Sequence, residues 1–273
     1  MTVAPKITII TVVRNAVHSI ERTIHSVAAQ TFPNIEYLVI DGASTDGTLE
    51  LLNHYKCEIT RWISEPDKGI ADAFNKGVLI ASGDAVVYMN AGDEFADRTS
   101  LERLVSGAPT GTALRQTVTY GDAIIVLPST KCVYADADHK TISATPNWKL
   151  CHQSALIGIE VQRRFPYDSR LALHMDHDFW LRCIDANVAF HYVKSPICRY
   201  LAGGLTGNPR YKLVHVIENH LVRLLNGRRP KTFGTVVSMV WATAVAAGKQ
   251  GLRALVGDRA MTKMKPAAGI ATE

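Results

Sequence analysis

The chain has 273 residues, of which 47% are hydrophobic and 20% charged; this is enough apolar material for a packed core, and it excludes a disordered or low-complexity polypeptide. The net charge of +5 is unevenly spread, since residues 1–193 hold 17 Lys and Arg against 22 Asp and Glu while residues 194–265 hold 13 against 2. A weakly acidic body thus carries a strongly basic C-terminal third, which calls for an anionic partner.

Ile7 to Val13 is a continuous β-branched run, the pattern of a strand buried on both faces, and Ile20, Ile24 and Val27 then fall on one helical stripe. The pair recurs. Ile35 to Ile40 is a second strand, Leu49, Leu51 and Leu52 belong to a short second helix, and Ile59 to Ile63 is a third strand. A third helix over Ile70 to Ala81 precedes a fourth strand, Ala85 to Met89. This alternation predicts an α/β fold with a Rossmann-like, mostly parallel sheet and helices on both faces. Beyond residue 100 the pattern loosens. Thr117 to Leu127, Cys132 to Tyr134 and Ala189 to Val193 read as strands of a mixed sheet, and Asp178 to Ala186 as a helix. Pro209 to Asn226 follows as an amphipathic helix, and Phe233 to Leu255 as a final apolar helix, together a C-terminal helical appendage.

The five cysteines are odd in number and lack a Cys-x-x-Cys pair, so they read as reduced, buried thiols. The apolar run between Lys6 and Arg14 is too short for a secretory signal, and a cytoplasmic location is expected.

Ligands of open parallel sheets bind outside the carboxyl ends of the strands. Here those ends carry Arg14 and Asn15, then Asp41, then Ser64, Glu65 and Asp67, then Asn90 and Asp93. Carboxylates so concentrated repel one another, which requires a cation or a donor-rich ligand. No Gly-x-Gly-x-x-Gly follows the first strand and no Gly-x-x-x-x-Gly-Lys occurs, so dinucleotide and P-loop folds are excluded. Gly42 to Asp46 also fails the Gly-x-Ser-x-Gly nucleophile elbow, and Asp46 reads as a helix N-cap.

Three segments carry a resemblance: VIDGASTDGT (Val39 to Thr48), SEPDKGIADAFNKGVLIASGD (Ser64 to Asp84) and YMNAGDEF (Tyr88 to Phe95) resemble, in order and spacing, the nucleotide-sugar half of family 2 glycosyltransferases. YGD (Tyr120 to Asp122), CHQ (Cys151 to Gln153), HMDHDFWLRC (His174 to Cys183) and GGLT (Gly203 to Thr206) are similar to the branch that builds bacterial exopolysaccharides and surface glycans. The resemblance implies a glycosyltransferase A fold over residues 1–207, with a nucleotide-sugar half (5–98) and an acceptor half (99–207). Beyond it lie a basic helical extension (208–265) and a disordered tail (266–273).

The implied activity is inverting transfer of a sugar from a nucleoside diphosphate sugar to a glycan or lipid-linked acceptor. The donor side would comprise Val12, Arg14, Asp41, Glu65, Lys68, Asp72, Asn90, Ala91 and Gly92. Asp41 would accept from the nucleobase, although the same residue would serve equally as a loop cap over Ala43 and Ser44. Lys68 would approach phosphate or ribose, or stand solvated in its turn. Asp93 would hold Mg²⁺ or Mn²⁺ against the diphosphate, although Asn90-Ala91-Gly92-Asp93 keeps only the last acid of the family's Asp-x-Asp. Ala71 stands where the family often has an aromatic residue. Asp176 matches the general base. Helical logic agrees, because Asp178 precedes Phe179, Trp180 and Leu181 as an N-cap and has Arg182 four residues on, which leaves Asp176 free in a loop. His152, Gln153 and Asp178 would line the acceptor side, and Gly203-Gly204 would flank a lid. His174 and His177 lack a third ligand for zinc. The reduced acidic motif also suits a non-catalytic nucleotide-sugar-binding scaffold.

Phe233 to Ala247 is 15 residues without a charge, about 22 Å as a helix against the roughly 30 Å of a hydrocarbon core. Flanked by Arg228, Arg229, Lys231, Lys249 and Arg253, it suits a peripheral position on an anionic membrane surface. Packing on its own domain or a homo-oligomer contact is the other reading of this helix. A nucleic-acid partner is not expected, since the tail has no recognition motif.

Overall fold

Ile7–Val13 (β1) is buried along its whole length in the computed structural model, as a continuous β-branched run requires. The structure describes residues 4–127, 132–135, 150–202 and 211–228. In chain order the elements after β1 are α1 (Ile20–Ala28), β2 (Ile35–Asp41), α2 (Thr48–His54), β3 (Arg61–Ser64), α3 (Ile70–Ile80), β4 (Ala85–Tyr88), β5 (Glu94–Phe95) and α4 (Ser100–Ser106). They continue with β6 (Thr117–Val126), β7 (Cys132–Ala135), β8 (Ala155–Gly158), α5 (Ile159–Arg164), α6 (Met175–Asp185), β9 (Ala189–Leu201) and α7 (Lys212–Leu225).

The strands form one sheet in the order β3-β2-β1-β4-β8-β6-β9-β5, with β7 on β6. The first four are parallel, with Ile7 beside Ile35 and Ala85 and with Leu38 beside Arg61. From β8 onward the sheet is mixed, as expected for the chain beyond residue 100. β8 runs antiparallel to β4 and β6, β7 to β6, and β5 to β9, while β6 and β9 are parallel. The five residues between β6 and β7 are too few for a parallel crossover, so that pair is antiparallel. A register shift in β6 at Gly121 and Asp122 bends the β6–β9 pair, and a Cβ on Gly121 would lie 2.7 Å from the Ser195 carbonyl oxygen.

The third strand starts two residues later than Ile59, because Ile59 is buried in the loop that delivers Thr60 to the Tyr37 N–H at 3.0 Å. At the amino ends of β1 and β2, buried Glu36 accepts from Thr8 Oγ1 at 2.6 Å and from the Ser82 N–H at 2.8 Å, with Lys6 Nζ 3.3 Å away. Burial raises the Glu36 pKa, but the Ser82 and Thr8 hydroxyls outweigh it and the net shift is downward.

The thiols are less uniform than expected: Cys183 and Cys198 are buried, Cys151 is partly buried and Cys57 is exposed. Two units divide at residues 208 and 209. Of the second, α7 is described, an amphipathic helix that exposes Ile217, Leu221 and Leu224 along one stripe. No described helix is long and apolar enough to cross a membrane. The apolar helix expected over Phe233 to Leu255, its flanking cations, Trp148 and the Gly203-Gly204 segment lie outside the described residues.

Candidate active site

The loops leaving β1 and β2 are joined by side chains acting on backbone. Asn15, at φ 51°, accepts the Thr45 N–H on its Oδ1 at 2.8 Å and donates its own N–H to Ser44 Oγ at 2.8 Å. Asp46 accepts from Val17 N–H at 3.1 Å and from the Thr48 hydroxyl at 2.6 Å. The N-cap position of α2 is Gly47, at φ 98°, one residue after the expected Asp46, which reaches past it to the Thr48 N–H. Gly42 has no room for a side chain, since a Cβ there would lie 2.2 Å from Asp67 Oδ2 and 3.4 Å from Arg14 Cβ. The ends of β1, β2 and β3 therefore converge at Arg14, Gly42 and Asp67.

The carboxylates at these strand ends do not stand as an unpaired cluster awaiting a cation. Asp41 is wholly buried and accepts from the Ser44 N–H at 2.9 Å, from the Ser44 hydroxyl and from Ser64 Oγ at 2.6 Å. Its observed contacts are thus those of a loop cap. Asp67 accepts the Gly69 N–H at 2.9 Å. Glu65 and Asp72 share Lys76, whose Nζ lies 2.9 and 3.6 Å away, and Asp72 also accepts the Lys68 N–H at 3.0 Å. Lys76, in the middle of α3, stands four residues after Asp72, an i, i+4 spacing through which sequence reading could have found it. Arg14 and Lys68 are exposed, and Val12 is buried in β1 beside Ile40.

The loop after β4 is held from α1. Buried Thr23 donates its hydroxyl toward the Asp93 carbonyl at 2.8 Å and accepts the Gly92 N–H at 2.8 Å. Gly92 sits at φ 99°, a left-handed conformation suited to glycine, and Ala91 completes the turn. Asp93 is 9% exposed and accepts from Gln153 Nε2 at 2.8 Å. Burial raises its pKa, against opposing contributions from Gln153, His152, Asn90 and Arg22.

The second half of the chain comes to this loop. His152 Nε2 lies 3.2 Å from Asn90 Nδ2, and His152 Nδ1 lies 3.4 Å from Asp176 Oδ2. An amide nitrogen can only donate, so His152 Nε2 accepts and its proton resides on Nδ1, toward Asp176. Burial lowers the His152 pKa, but Asp176 overcomes it and the net shift is upward. Burial likewise raises Asp176, while the bond and charge of His152, with His174 and His177, carry the net shift downward. Asp176 is therefore held as a carboxylate. Asn90, Asp93, His152, Gln153 and Asp176 form one cluster, over an aromatic floor in which Phe74 and Tyr88 lie 5.8 and 6.4 Å from the His152 ring. The buried Tyr88 and Tyr167, whose rings lie 5.4 Å apart, escaped sequence reading because they look like ordinary core residues.

Two details of α6 differ from expectation. The helix starts at Met175, so Asp176 lies in its first turn rather than in a loop, and His174 rather than Asp178 occupies the N-cap. Burial of Met175 draws the start of the helix forward. Asp178 is 6% exposed, and its carboxylate accepts from Arg182 Nε at 2.7 Å, the predicted i, i+4 pair. His174 and His177 have rings 5.9 Å apart.

A divalent cation was tested against these residues. Among the described residues no group of three or more His, Cys, Asp or Glu side chains could hold a metal. Yet Asn90 Oδ1 is buried without a hydrogen-bond partner, three residues before Asp93 in the same loop. One carboxylate and one orphaned amide oxygen suit Mg²⁺ or Mn²⁺ when phosphates and water supply the remaining ligands. The residues fit a metal brought with a diphosphate.

The model of the Glycosyl transferase family 2 matches residues 8–124, which run from β1 through most of β6. Residues 8–124 are a family 2 glycosyltransferase domain. An uncharacterized glycosyltransferase of Mycobacterium tuberculosis is 39% identical over 97 residues, 35% of this chain and 37% of that protein's length. A PGL/p-HBAD biosynthesis glycosyltransferase of Mycobacterium bovis is 28% identical over 185 residues, 66% of this chain and 70% of the other. The mannosyltransferase PcManGT of Pyrobaculum calidifontis, solved in complex with GDP-Man and Mn²⁺, superposes with a TM-score of 0.61 at 17% identity, covering 94% of this chain and 77% of that one. The fold of this family 2 domain and its partner half is glycosyltransferase A.

Proposed function

We propose that the protein is an inverting glycosyltransferase, moving one sugar from a nucleoside diphosphate sugar to a hydroxyl of a glycan or lipid-linked glycan in surface-glycan synthesis. The observation that carries this reading is the meeting of Asp176 and His152 beside the loop of Asn90 and Asp93. A base candidate from one half of the chain thereby faces the diphosphate-side loop of the other.

Asp176 takes the proton of the acceptor hydroxyl as its oxygen bonds to the anomeric carbon and the bond to the diphosphate breaks on the opposite face. His152 Nδ1–H orients the carboxylate and keeps it ionised, as the downward shift of Asp176 requires. Asp93 and Asn90 would hold Mg²⁺ or Mn²⁺, which when bound neutralises charge developing on the leaving diphosphate. Arg14 and Lys68 are the exposed cations at the donor end. Asp41, wholly buried with its oxygens on Ser44 and Ser64, shapes the nucleobase side by fixing these loops from beneath. Gln153 positions Asp93. The basic C-terminal segment accounts for a position on the cytoplasmic face of an anionic membrane.

The test is a panel of UDP-, GDP- and dTDP-sugars with Mn²⁺ or Mg²⁺, read as release of nucleoside diphosphate in the presence of lipid-linked and soluble acceptors. Release that depends on Asp176 supports the enzyme. Donor binding without turnover in any combination would instead identify a nucleotide-sugar-binding scaffold.

A further inference from the structure

Beside Gly92 lies an open pocket of about 240 Å³ lined by Arg22, Gly92, Glu94, Arg199, Tyr200 and the ends of β6 and β9. Two guanidiniums converge here from different elements. Arg22 projects from α1, and Arg199 stands in β9 opposite Glu94 of β5. Both are exposed, and among the described residues neither forms an ion pair, even though Glu94 is the carboxylate of the lining. The lining therefore carries one net positive charge with two unused planar donors, an arrangement that matches phosphate or carboxylate oxygens.

The pocket borders the loop of the cluster through Gly92. Gly92 belongs to the loop that ends in Asp93, and Arg22 is among the charges acting on Asp93. Tyr200 also lines the pocket; burial raises its phenol, with Cys151, Cys198, Asp93 and Asp176 adding to the shift. A group bound by the two arginines would sit beside Gly92, in the loop whose Asn90 reaches His152 and, through it, Asp176. We infer that this pocket is the acceptor subsite and that Arg22 and Arg199 bind an anionic group of the acceptor, next to the hydroxyl that is glycosylated. The inference rests on the proposed transferase reading for its role, but the anion site is measurable without turnover.

The experiment uses the full chain in metal-free buffer and titrates glucose 1-phosphate, methyl glucuronide and the neutral methyl glucoside, followed by calorimetry or ligand-observed NMR. The phosphate and carboxylate arms separate a lipid-phosphate source from an acidic-sugar source. Arg22→Ala and Arg199→Ala should each weaken the better anionic probe by about tenfold, as expected for loss of one charge-assisted contact, and leave methyl glucoside unchanged. Affinity for the donor that serves in the panel should stay within about twofold in Arg199→Ala. Unchanged anion affinity in the double variant would overturn the inference. So would a parallel loss of donor affinity, which would assign the arginines to the donor. If no donor supports turnover yet the anion response is lost in the variants, the transferase reading fails while the anion site stands.

Discussion

His152 and Asp176, 24 residues apart in the chain, meet at 3.4 Å, and the same imidazole reaches Asn90 at 3.2 Å on its other nitrogen. One histidine thus links the base candidate in α6 to the loop that carries Asp93. Asp176→Asn keeps the shape of the side chain and removes its proton affinity. The expected result is a fall in kcat of about 10²–10⁴-fold with donor affinity retained, measured by diphosphate release and by donor titration.

The imidazole itself is predicted to act through pH. Asp176 is partly buried, which raises its pKa, and His152 reverses this. His152→Ala removes the reversal, so the acid limb of the kcat/KM profile should move to higher pH, where the free enzyme's carboxylate now protonates. His152→Gln, which can still donate to Asp176, should restore part of the shift. A profile in His152→Ala that superposes on the wild type would refute the role.

Asp93 has an upward-shifted pKa because it is buried. Its ionised form therefore costs folding stability, a cost absent below the unfolded-state value of the carboxyl and fully present once the pH has risen through the folded-state value. Asp93→Asn should raise the Tm of the metal-free protein at pH 7, by about 2–4 °C for each kcal/mol relieved in a domain of this size. The same variant should lose any stabilisation by Mn²⁺ with nucleoside diphosphate, read by thermal shift.

Glu36 shifts the other way. Its folded-state pKa is lowered below 4.5, so its stabilising contribution is complete above that value and is lost as the pH falls through the folded-state value. Glu36→Gln should cost about 1–3 kcal/mol at pH 7, the range for hydrogen bonds to a buried charged group. Urea denaturation should show the difference from wild type narrowing as the pH is lowered below about 4.

Gly158, where β8 passes into α5, meets backbone rather than a flexible side chain. A Cβ there would lie 2.4 Å from the Arg115 carbonyl carbon and oxygen and 2.5 Å from the Leu114 oxygen. Its φ of −55° is open to any residue, so the demand for glycine is steric. Gly158→Ala should destabilise by about 1–3 kcal/mol, the usual cost of overpacking, in a thermal or chemical melt.

Local physics alone determined the first half of the fold. A continuous apolar run such as Ile7–Val13 can be buried on both faces only as a central parallel strand, and alternation with helical stripes orders β1 to β4. The motif residues of the strand ends, and the Asp178–Arg182 pair one helical turn apart, were legible for the same reason: spacing along the chain places them. Tertiary structure decided what depends on neighbours distant in sequence. It turned Asp41 toward Ser64, gave Glu65 to Lys76 and set Gln153 on Asp93. It also set Arg22 and Arg199 on one pocket and His152 between Asn90 and Asp176. Periodicity reports which face of an element is buried; which polar groups satisfy one another across the core follows only from how the strands are ordered in the sheet.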